Sequence, residues 1–77
     1  MKRYFLDTNV VLDFMLEREP HATFAQALFA AAEASAVALY AASLSFSTIY
    51  YVARKELGRL ETLQRIQDLL TRCTVLE

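Results

Sequence analysis

Three short apolar segments with strand character alternate along this chain with longer segments of helical periodicity. The strand-like segments are Lys2–Leu6, Val37–Ala42 and Thr74–Leu76. Strands that alternate with helices form a parallel sheet with layers of helices packed on it. We therefore predict an α/β fold, a parallel three-stranded sheet with flanking helices in the order β-α-α-β-α-α-β. The brief apolar run 4–6 is typical of a strand buried within a parallel sheet.

Four helices are predicted between the strands, because apolar residues recur there at spacings of three and four. The residues expected to begin or end these helices are, in chain order, Thr8 or Asn9, Pro20, Glu33, Ser43 or Ser45, and Gly58. The residues expected to face the core are Val10, Val11, Phe14 and Met15 on the first helix, Phe24, Leu28 and Ala31 on the second, Phe46, Ile49, Tyr50, Ala53 and Leu57 on the third, and Leu60, Leu63, Ile66 and Leu70 on the fourth.

The size and composition of the chain predict a single small domain. The chain has 77 residues, of which 56% are hydrophobic, so it is one domain at most and its composition is not that of a disordered protein. A domain of this size buries only about 60–65% of its unfolded surface and is marginally stable by itself. The formal net charge of −1 provides no global attraction for nucleic acid, so any contact with a polyanion has to be local.

The sequence also indicates the cellular compartment of the protein. No apolar run reaches the roughly 18 residues that span a bilayer, and we expect no contact with a membrane. Asp7, Asp13 and Glu17 interrupt the run that would follow a basic signal-peptide start, so we do not expect a signal peptide. The single cysteine, Cys73, has no internal disulfide partner, which fits a reducing compartment. We therefore predict a cytoplasmic protein.

Polar oxygen ligands cluster where the first strand ends. Asp7 is the first residue after that strand, Asn9 adds a neutral oxygen, and Asp13 lies one helical turn after Asn9. Ligands bind at the carboxyl ends of strands in open α/β sheets. Magnesium takes one or two carboxylates together with waters and phosphate oxygens, and it can activate water and offset the charge of a scissile phosphate. Asp7 is the best candidate metal ligand, whereas His21 and Cys73 lack partners at zinc-like spacing.

Each of these candidates also has a purely structural interpretation. Asp7 and Asn9 are residues that commonly cap a helix and shape a turn. Asp13 fits an ordinary solvated or N-terminal-turn carboxylate better than a metal ligand. These alternatives remain open at this point.

The third predicted helix ends in a segment of basic and aromatic residues. Arg54 and Lys55 lie in its last turn, where cations complement the helix dipole, and Arg59 follows the break at Gly58. The simplest interpretation of the cluster is a solvated helix end, and the alternative is a surface that holds an RNA backbone. The neighbouring pair 50–51, two tyrosines, fits packing in the core and at its rim better than base stacking.

Two segments resemble a known family. Residues 5–13, FLDTNVVLD, resemble the opening of PIN domains, the ribonuclease fold of VapC-like toxins. Residues 43–55, with a serine-rich start and the run IYYV, resemble the third-helix segment of bacterial members. Together the two segments align essentially all of the chain with the N-terminal part of the family domain.

The resemblance implies a magnesium- or manganese-dependent endoribonuclease in which several acidic residues hold the metal. Asp7 matches the first metal-binding aspartate and catalytic carboxylate of the family. Asn9 matches the polar residue that supports it, and Asp13 matches a less constant acidic position. The implied partners are single-stranded RNA, an antitoxin-type inhibitor protein and a second copy of the chain.

Two departures from the family pattern bear on activity. Thr48 stands where members usually carry a glutamate, and a neutral hydroxyl is a poor substitute for a carboxylate. Glu56 lies two turns further on and is not expected to reach the same crevice. Family domains also continue for roughly as many residues again, and their remaining metal-binding acids lie there.

We therefore expect residues 1–77 to be the N-terminal part of a PIN-like domain. Later strands of the family lie beyond the first strand, so Lys2–Leu6 should have a free edge, and free edges invite pairing with another chain. We expect association with a second copy, or completion by a separate fragment. We also expect little or no nuclease activity from these residues in isolation.

Two other functions are compatible with the sequence. The first is a non-catalytic PIN-like interaction module, which the loss of the third-helix acid favours. The second is a phosphatase of the haloacid dehalogenase type, which also places an aspartate after its first strand. That chemistry needs Asp-x-Asp, a nucleophile and an acid/base pair, and Asn9 cannot exchange a proton in the second role.

Overall fold

Seven elements follow the predicted order in the computed structural model, which describes residues 1–77. They are β1 (Lys2–Phe5), α1 (Thr8–Met15), α2 (His21–Glu33), β2 (Val37–Ala42), α3 (Ser45–Leu57), α4 (Arg59–Leu70) and β3 (Thr74–Leu76). The three strands are parallel and lie in the order β1-β2-β3. The predicted α/β arrangement is therefore confirmed. None of the four helices is long and apolar enough to cross a membrane.

The sheet has one covered face and one open face. The path β1-β2-β3 moves in one direction across the sheet, and right-handed crossovers then place both helix pairs on the same side. Burial follows this expectation, since Leu39 and Ala41 on β2 are buried while Tyr40 between them is not. Phe5 pairs with Tyr40 in register and is 63% exposed.

The expectation that the first strand is buried is therefore wrong. All four residues of β1 are exposed, because β1 lies at an edge of the sheet and one of its faces has no helix packed on it. Its second edge has no strand partner, as expected for Lys2–Leu6. Leu6, immediately after the strand, is buried and donates its backbone N–H to the carbonyl of Tyr40 at 2.7 Å.

The core lies between the sheet and the helices. Its nine buried members are Leu6, Val11, Leu12, Met15, Phe29, Leu39, Ile49, Ala53 and Leu69. Phe14 on α1 stacks on Phe29 of α2 with ring centroids 4.1 Å apart. This stack sets the rotation of α2, so Ala22, Ala25 and Phe29 are buried and Phe24 is 62% exposed. The prediction for Phe24 is therefore wrong, whereas Leu28 of the same predicted stripe does pack against the core.

The fourth helix also turns a different face inward. Its buried residues are Thr62 and Leu69, whereas Leu60, Leu63 and Leu70 are exposed. The buried hydroxyl of Thr62 is satisfied because it donates to the carbonyl of Gly58 at 2.6 Å. A threonine can thus occupy the inward face. The prediction is wrong for the three leucines of the stripe, whereas its fourth member, Ile66, packs against the core.

Helix boundaries differ from prediction mainly at the caps. Asp7, not Thr8 or Asn9, is the N-cap of α1. Neither Ser43 nor Ser45 caps α3 through its side chain, since Leu44 occupies the N-cap position. The predicted break at Gly58 is confirmed, and its φ of 81° lies in a region that favours glycine.

Polar contacts tie the last helix to the first two. Arg65 donates from Nη1 to the carbonyl of Met15 at 2.6 Å, which joins α4 to the end of α1. Arg72, just after α4, lies 3.5 Å from the carboxylate of Glu33 at the end of α2. Because Glu33 and Arg72 lie just before β2 and β3, α2 and α4 both end at the amino edge of the sheet.

Candidate functional site

The candidate site lies at the carboxyl edge of the sheet, where β1 and β2 both end. Asp7 follows β1 after the buried Leu6, whose backbone is hydrogen-bonded to β2. The backbone of Asp7 is therefore held by the sheet, while its side chain is exposed. This is the position that the sequence predicted for a ligand-binding carboxylate in an open α/β sheet.

The Asp7 carboxylate has two oxygens with different surroundings. Oδ2 accepts a hydrogen bond of 3.3 Å from the backbone N–H of Asn9. Through this hydrogen bond Asp7 caps α1. Oδ1 has no hydrogen-bond partner in the protein. Capping and ligand binding therefore do not exclude each other, because the cap engages one oxygen and leaves the second free.

Asn9 and Asp13 are placed differently by α1. Asn9 is exposed in the first turn, and its side chain makes no hydrogen bond within the protein. Asp13 is paired with Arg18, with Oδ1 3.0 Å from the guanidinium Nε. The Asp13 side chain is only 15% exposed, so the ion pair is partly shielded from water. Asp13 is thus engaged by a cation and is not free in the way that Asp7 is.

Thr48 lies at the start of α3, which begins just after β2 ends at the same edge of the sheet. It is exposed and makes no side-chain hydrogen bond. The N-terminus of this helix has no side-chain cap. Glu56 is in the last turn of α3, two turns from Thr48, so the helix offers no carboxylate near its start.

The residues present fit one ligand position of a divalent metal and do not complete a site. No three acidic, histidine or cysteine side chains are grouped closely enough to hold an ion. Magnesium accepts one or two carboxylates when waters and phosphate oxygens supply the rest. Asp7 meets the first requirement with its free oxygen, and it belongs to no group of three such side chains.

The site is an open edge of the molecule rather than a pocket. None of the four surface cavities is lined by Asp7, Asn9 or Asp13. The largest cavity surrounds the junction of α3 and α4, and its lining includes Arg59. An extended substrate can therefore reach Asp7 without entering an enclosed cavity.

The predicted basic cluster is exposed around the end of α3. Arg54, Lys55 and Arg59 are all exposed, and none of them is within ion-pair distance of a carboxylate. Arg54 and Lys55 lie against tyrosine rings instead. The Lys55 Nζ is 4.3 Å from the ring centroid of Tyr51, and the Arg54 Cζ is 5.6 Å from it.

Two features of the site were not predicted. Arg18 follows Asp13 by five positions, outside the spacings of three and four that signal a helical ion pair, and the chain leaves the helix between them. The contacts of Tyr51 with its two cations were also missed, although the spacing from Tyr51 to Lys55 is one helical turn.

Comparison with known proteins agrees with the fold. The sequence model of a family described as PIN domain matches residues 3–77, nearly the whole chain. No curated protein and no solved structure matches significantly. The family match sets aside the phosphatase interpretation and supports a nuclease-like fold. The chain belongs to the PIN-domain family.

Proposed function

We propose that this chain belongs to a divalent-metal-dependent endoribonuclease of the VapC-like toxin type, with Asp7 as a metal-binding catalytic carboxylate. The observation on which the proposal rests is the Asp7 carboxylate at the end of β1, with one oxygen bound to its own helix and the other free. Magnesium or manganese would activate water and offset the charge on the scissile phosphate. PIN domains are generally metal-dependent, which agrees with this chemistry.

The residues around Asp7 orient it and supply polar contacts. The N–H of Asn9 holds the carboxylate in place through Oδ2 and leaves Oδ1 without a partner in the protein. The Asn9 amide is available to support a ligand beside Asp7. Asp13 would add charge to the site only after release from Arg18. Thr48 supplies a neutral hydroxyl.

We expect little cleavage by the 77-residue chain in isolation. Metal affinity rises with the number of clustered carboxylates, and Asp7 is not part of a cluster of three possible metal ligands. By the family resemblance, the further carboxylates would come from additional polypeptide. Metal-dependent cleavage of single-stranded RNA by the chain, abolished by Asp7→Ala, would contradict the expected inactivity while supporting the enzyme class.

We also propose that residues 1–77 are the N-terminal part of a domain that additional polypeptide completes, from a second fragment or a second copy. Support comes from the open face of the sheet, where Phe5 is 63% and Leu76 43% exposed, and from the free edge of β1. Free strand edges readily pair with another chain. A compact monomer in sedimentation at high protein concentration, with cooperative unfolding, would contradict association.

Single-stranded RNA in the cytoplasm and an antitoxin-type inhibitor are the remaining partners of the proposal. The basic cluster of Arg54, Lys55 and Arg59 supports contact with RNA phosphates, because its cations have no acidic partners. Support for an inhibitor comes only from the resemblance to toxins. Co-purification of a tightly bound protein that suppresses RNA cleavage would test that part.

The experiment that tests the assignment of Asp7 is paramagnetic broadening by Mn²⁺ in the ¹⁵N-labelled chain. With a single-stranded oligonucleotide present, Mn²⁺ should broaden the amide signals of residues 7–9 first. Asp7→Asn should abolish this local broadening, whereas the control Asp68→Asn, which removes an exposed carboxylate on α4, should leave it intact. Equal broadening in the wild-type and Asp7→Asn chains would contradict the assignment.

A non-catalytic PIN-like interaction module is the second candidate. Two observations favour it, the pairing of Asp13 with Arg18 and the neutral Thr48 at the start of α3. The two candidates differ in one measurement. An enzyme gains cleavage when its completing polypeptide is added with Mn²⁺, and a module stays inactive under the same conditions.

A further inference from the structure

We propose that Tyr51 is a stacking platform for a base of single-stranded RNA, and that Arg54 and Lys55 beside it bind the flanking phosphates. The inference rests on the proposed ribonuclease function and adds a feature that selects unpaired RNA. It is based on the exposure of Tyr51, on the cations packed against its ring and on the absence of acids in this part of the chain.

The Tyr51 ring is placed on the outer face of α3. It is 53% exposed, whereas Ile49 and Ala53 on the inner face are fully buried. Packing in the core therefore does not explain this tyrosine. An exposed aromatic ring is the group that stacks on unpaired bases in single-strand-binding proteins.

Two cations lie against this ring without any acidic partner. Lys55 and Arg54 approach the centroid of Tyr51 to 4.3 and 5.6 Å. The protein's four ion pairs use other arginines, namely Arg18, Arg65 and Arg72. The charges beside Tyr51 are therefore not neutralised within the protein and remain available to phosphate oxygens.

The chain segment that contains Tyr51 has no acidic residue. Residues 34–55 contain no aspartate or glutamate, although the whole chain has a net charge of −1. The next acid, Glu56, is rotated by about 100° around the helix from Lys55 and pairs with neither cation. The only charged residues in this segment are the cations Arg54 and Lys55, a composition that favours contact with a polyanion.

The platform is continuous with the candidate site. Thr48 and Tyr51 lie one turn apart on the exposed side of α3, and Thr48 is near the helix start at the carboxyl edge of the sheet. A single strand of RNA bound along this face would run from Lys55 past Tyr51 toward the carboxyl edge of the sheet, where Asp7 lies. The platform would thereby position the strand for the proposed site.

Single-stranded RNA fits this surface better than a duplex or an acidic protein. Bases within a duplex are already stacked on each other and cannot stack on a side chain, whereas unpaired bases can. An acidic protein would be attracted to the two cations but would gain nothing specific from the ring face. These alternatives predict different outcomes in the following experiment.

The experiment measures binding of a short fluorescein-labelled oligouridylate to the full chain by fluorescence anisotropy in EDTA, so that metal chemistry plays no part. Tyr51→Ala should weaken binding by about 5- to 150-fold, the range found for loss of one stacked base. Tyr51→Phe should retain wild-type affinity because the ring remains. The matched control is Phe24→Ala, which removes an exposed aromatic ring on α2 that has no cation beside it.

The cations are tested through the salt dependence of binding. Arg54→Gln and Lys55→Gln should each reduce the slope of log K against log salt by about 0.7, the value for one phosphate contact on a single strand. Circular dichroism should show an unchanged fold for each variant, because all three side chains are exposed. A slope unchanged in both glutamine variants would overturn the phosphate contacts.

Several outcomes would overturn the platform itself. They are no measurable binding by the wild-type chain, equal binding by the wild-type and Tyr51→Ala chains, and binding of duplex RNA or heparin as tight as that of the oligouridylate. Failure of the proposed function is separate. RNA binding in EDTA could depend on Tyr51 while the chain, joined by its completing polypeptide, fails to cleave RNA with Mn²⁺. That result would support the stacking platform and contradict the nuclease assignment.

Discussion

The guanidinium of Arg65 donates a hydrogen bond of 2.6 Å to the backbone carbonyl of Met15, a residue 50 positions earlier in the chain. The same side chain forms an ion pair with Glu61, one turn before it on α4. Met15 is the last residue of α1, where carbonyls have no partner within the helix. Arg65 therefore satisfies a helix end and joins α4 to α1.

We predict that Arg65→Met lowers the free energy of unfolding by about 1–3 kcal/mol, because the carbonyl of Met15 loses a charged donor. Urea unfolding monitored by circular dichroism measures the change. The control is Glu61→Gln, which removes only the exposed ion pair and should cost about 0–1 kcal/mol. Equal losses in the two variants would show that the contact with Met15 contributes nothing.

The orientation of α4 leads to a second prediction, which concerns the stability of leucine variants on this helix. Leu69 is fully buried and Leu63 is 40% exposed. Leu69→Ala should therefore destabilise the chain by about 2–5 kcal/mol, while Leu63→Ala should change stability by at most about 0.5 kcal/mol. The opposite order in urea unfolding would mean that the leucine stripe predicted from sequence faces the core after all.

Substitutions at Asp7 separate its structural role from its proposed chemical one. Asp7→Ala removes the N-cap of α1 and should cost about 0.5–2 kcal/mol in unfolding free energy. Asp7→Asn should cost much less, because asparagine caps helices about as well as aspartate. Metal affinity, measured by Mn²⁺ broadening, should fall in both variants. Retention of metal binding in Asp7→Asn would leave capping as the only role of this residue.

Cys73 provides a prediction about pH. Burial raises the pKa of the Cys73 thiol above its ordinary value, because a buried thiolate is poorly solvated. Since the thiolate is the reactive form, alkylation by iodoacetamide should have a higher pH midpoint in the folded chain than in urea. A lower midpoint in the folded chain would contradict this environment.

The same shift affects stability in a defined direction. The folded chain holds the thiol proton more tightly than the unfolded chain does. This contribution is complete below the ordinary thiol pKa and is lost as pH rises through the raised one. The control is Cys73→Ser, whose stability should lack this component of the alkaline decline. An identical decline in the wild-type and Cys73→Ser chains would contradict the linkage.

The sequence predicted the fold because its local signals agree with one another. Alternation of strand-like and helical segments led to the right element order and to the parallel sheet. The break at Gly58 was readable because few residues other than glycine adopt its positive φ. The position of Asp7 followed from the rule that strand ends in α/β sheets present ligands.

The rotation of two helices could not be read in the same way. Both α2 and α4 have more than one apolar stripe, and periodicity says which residues share a face without saying which face is inward. On α2 the stack of Phe29 on Phe14 decides the question. On α4 it is decided by the burial of Leu69, with Arg65 bonded to Met15 beside it.

At the candidate site, too, some features could be predicted from the sequence and others depend on the tertiary structure. By itself the sequence determined that a carboxylate follows the first strand, because strand, turn and helix are local features there. Only the tertiary structure decided that Asp7 keeps a free oxygen, that Arg18 engages Asp13 and that the ring of Tyr51 lies outside the core. These facts depend on how the elements pack and on which side chains the turns bring together. Local periodicity does not contain that information.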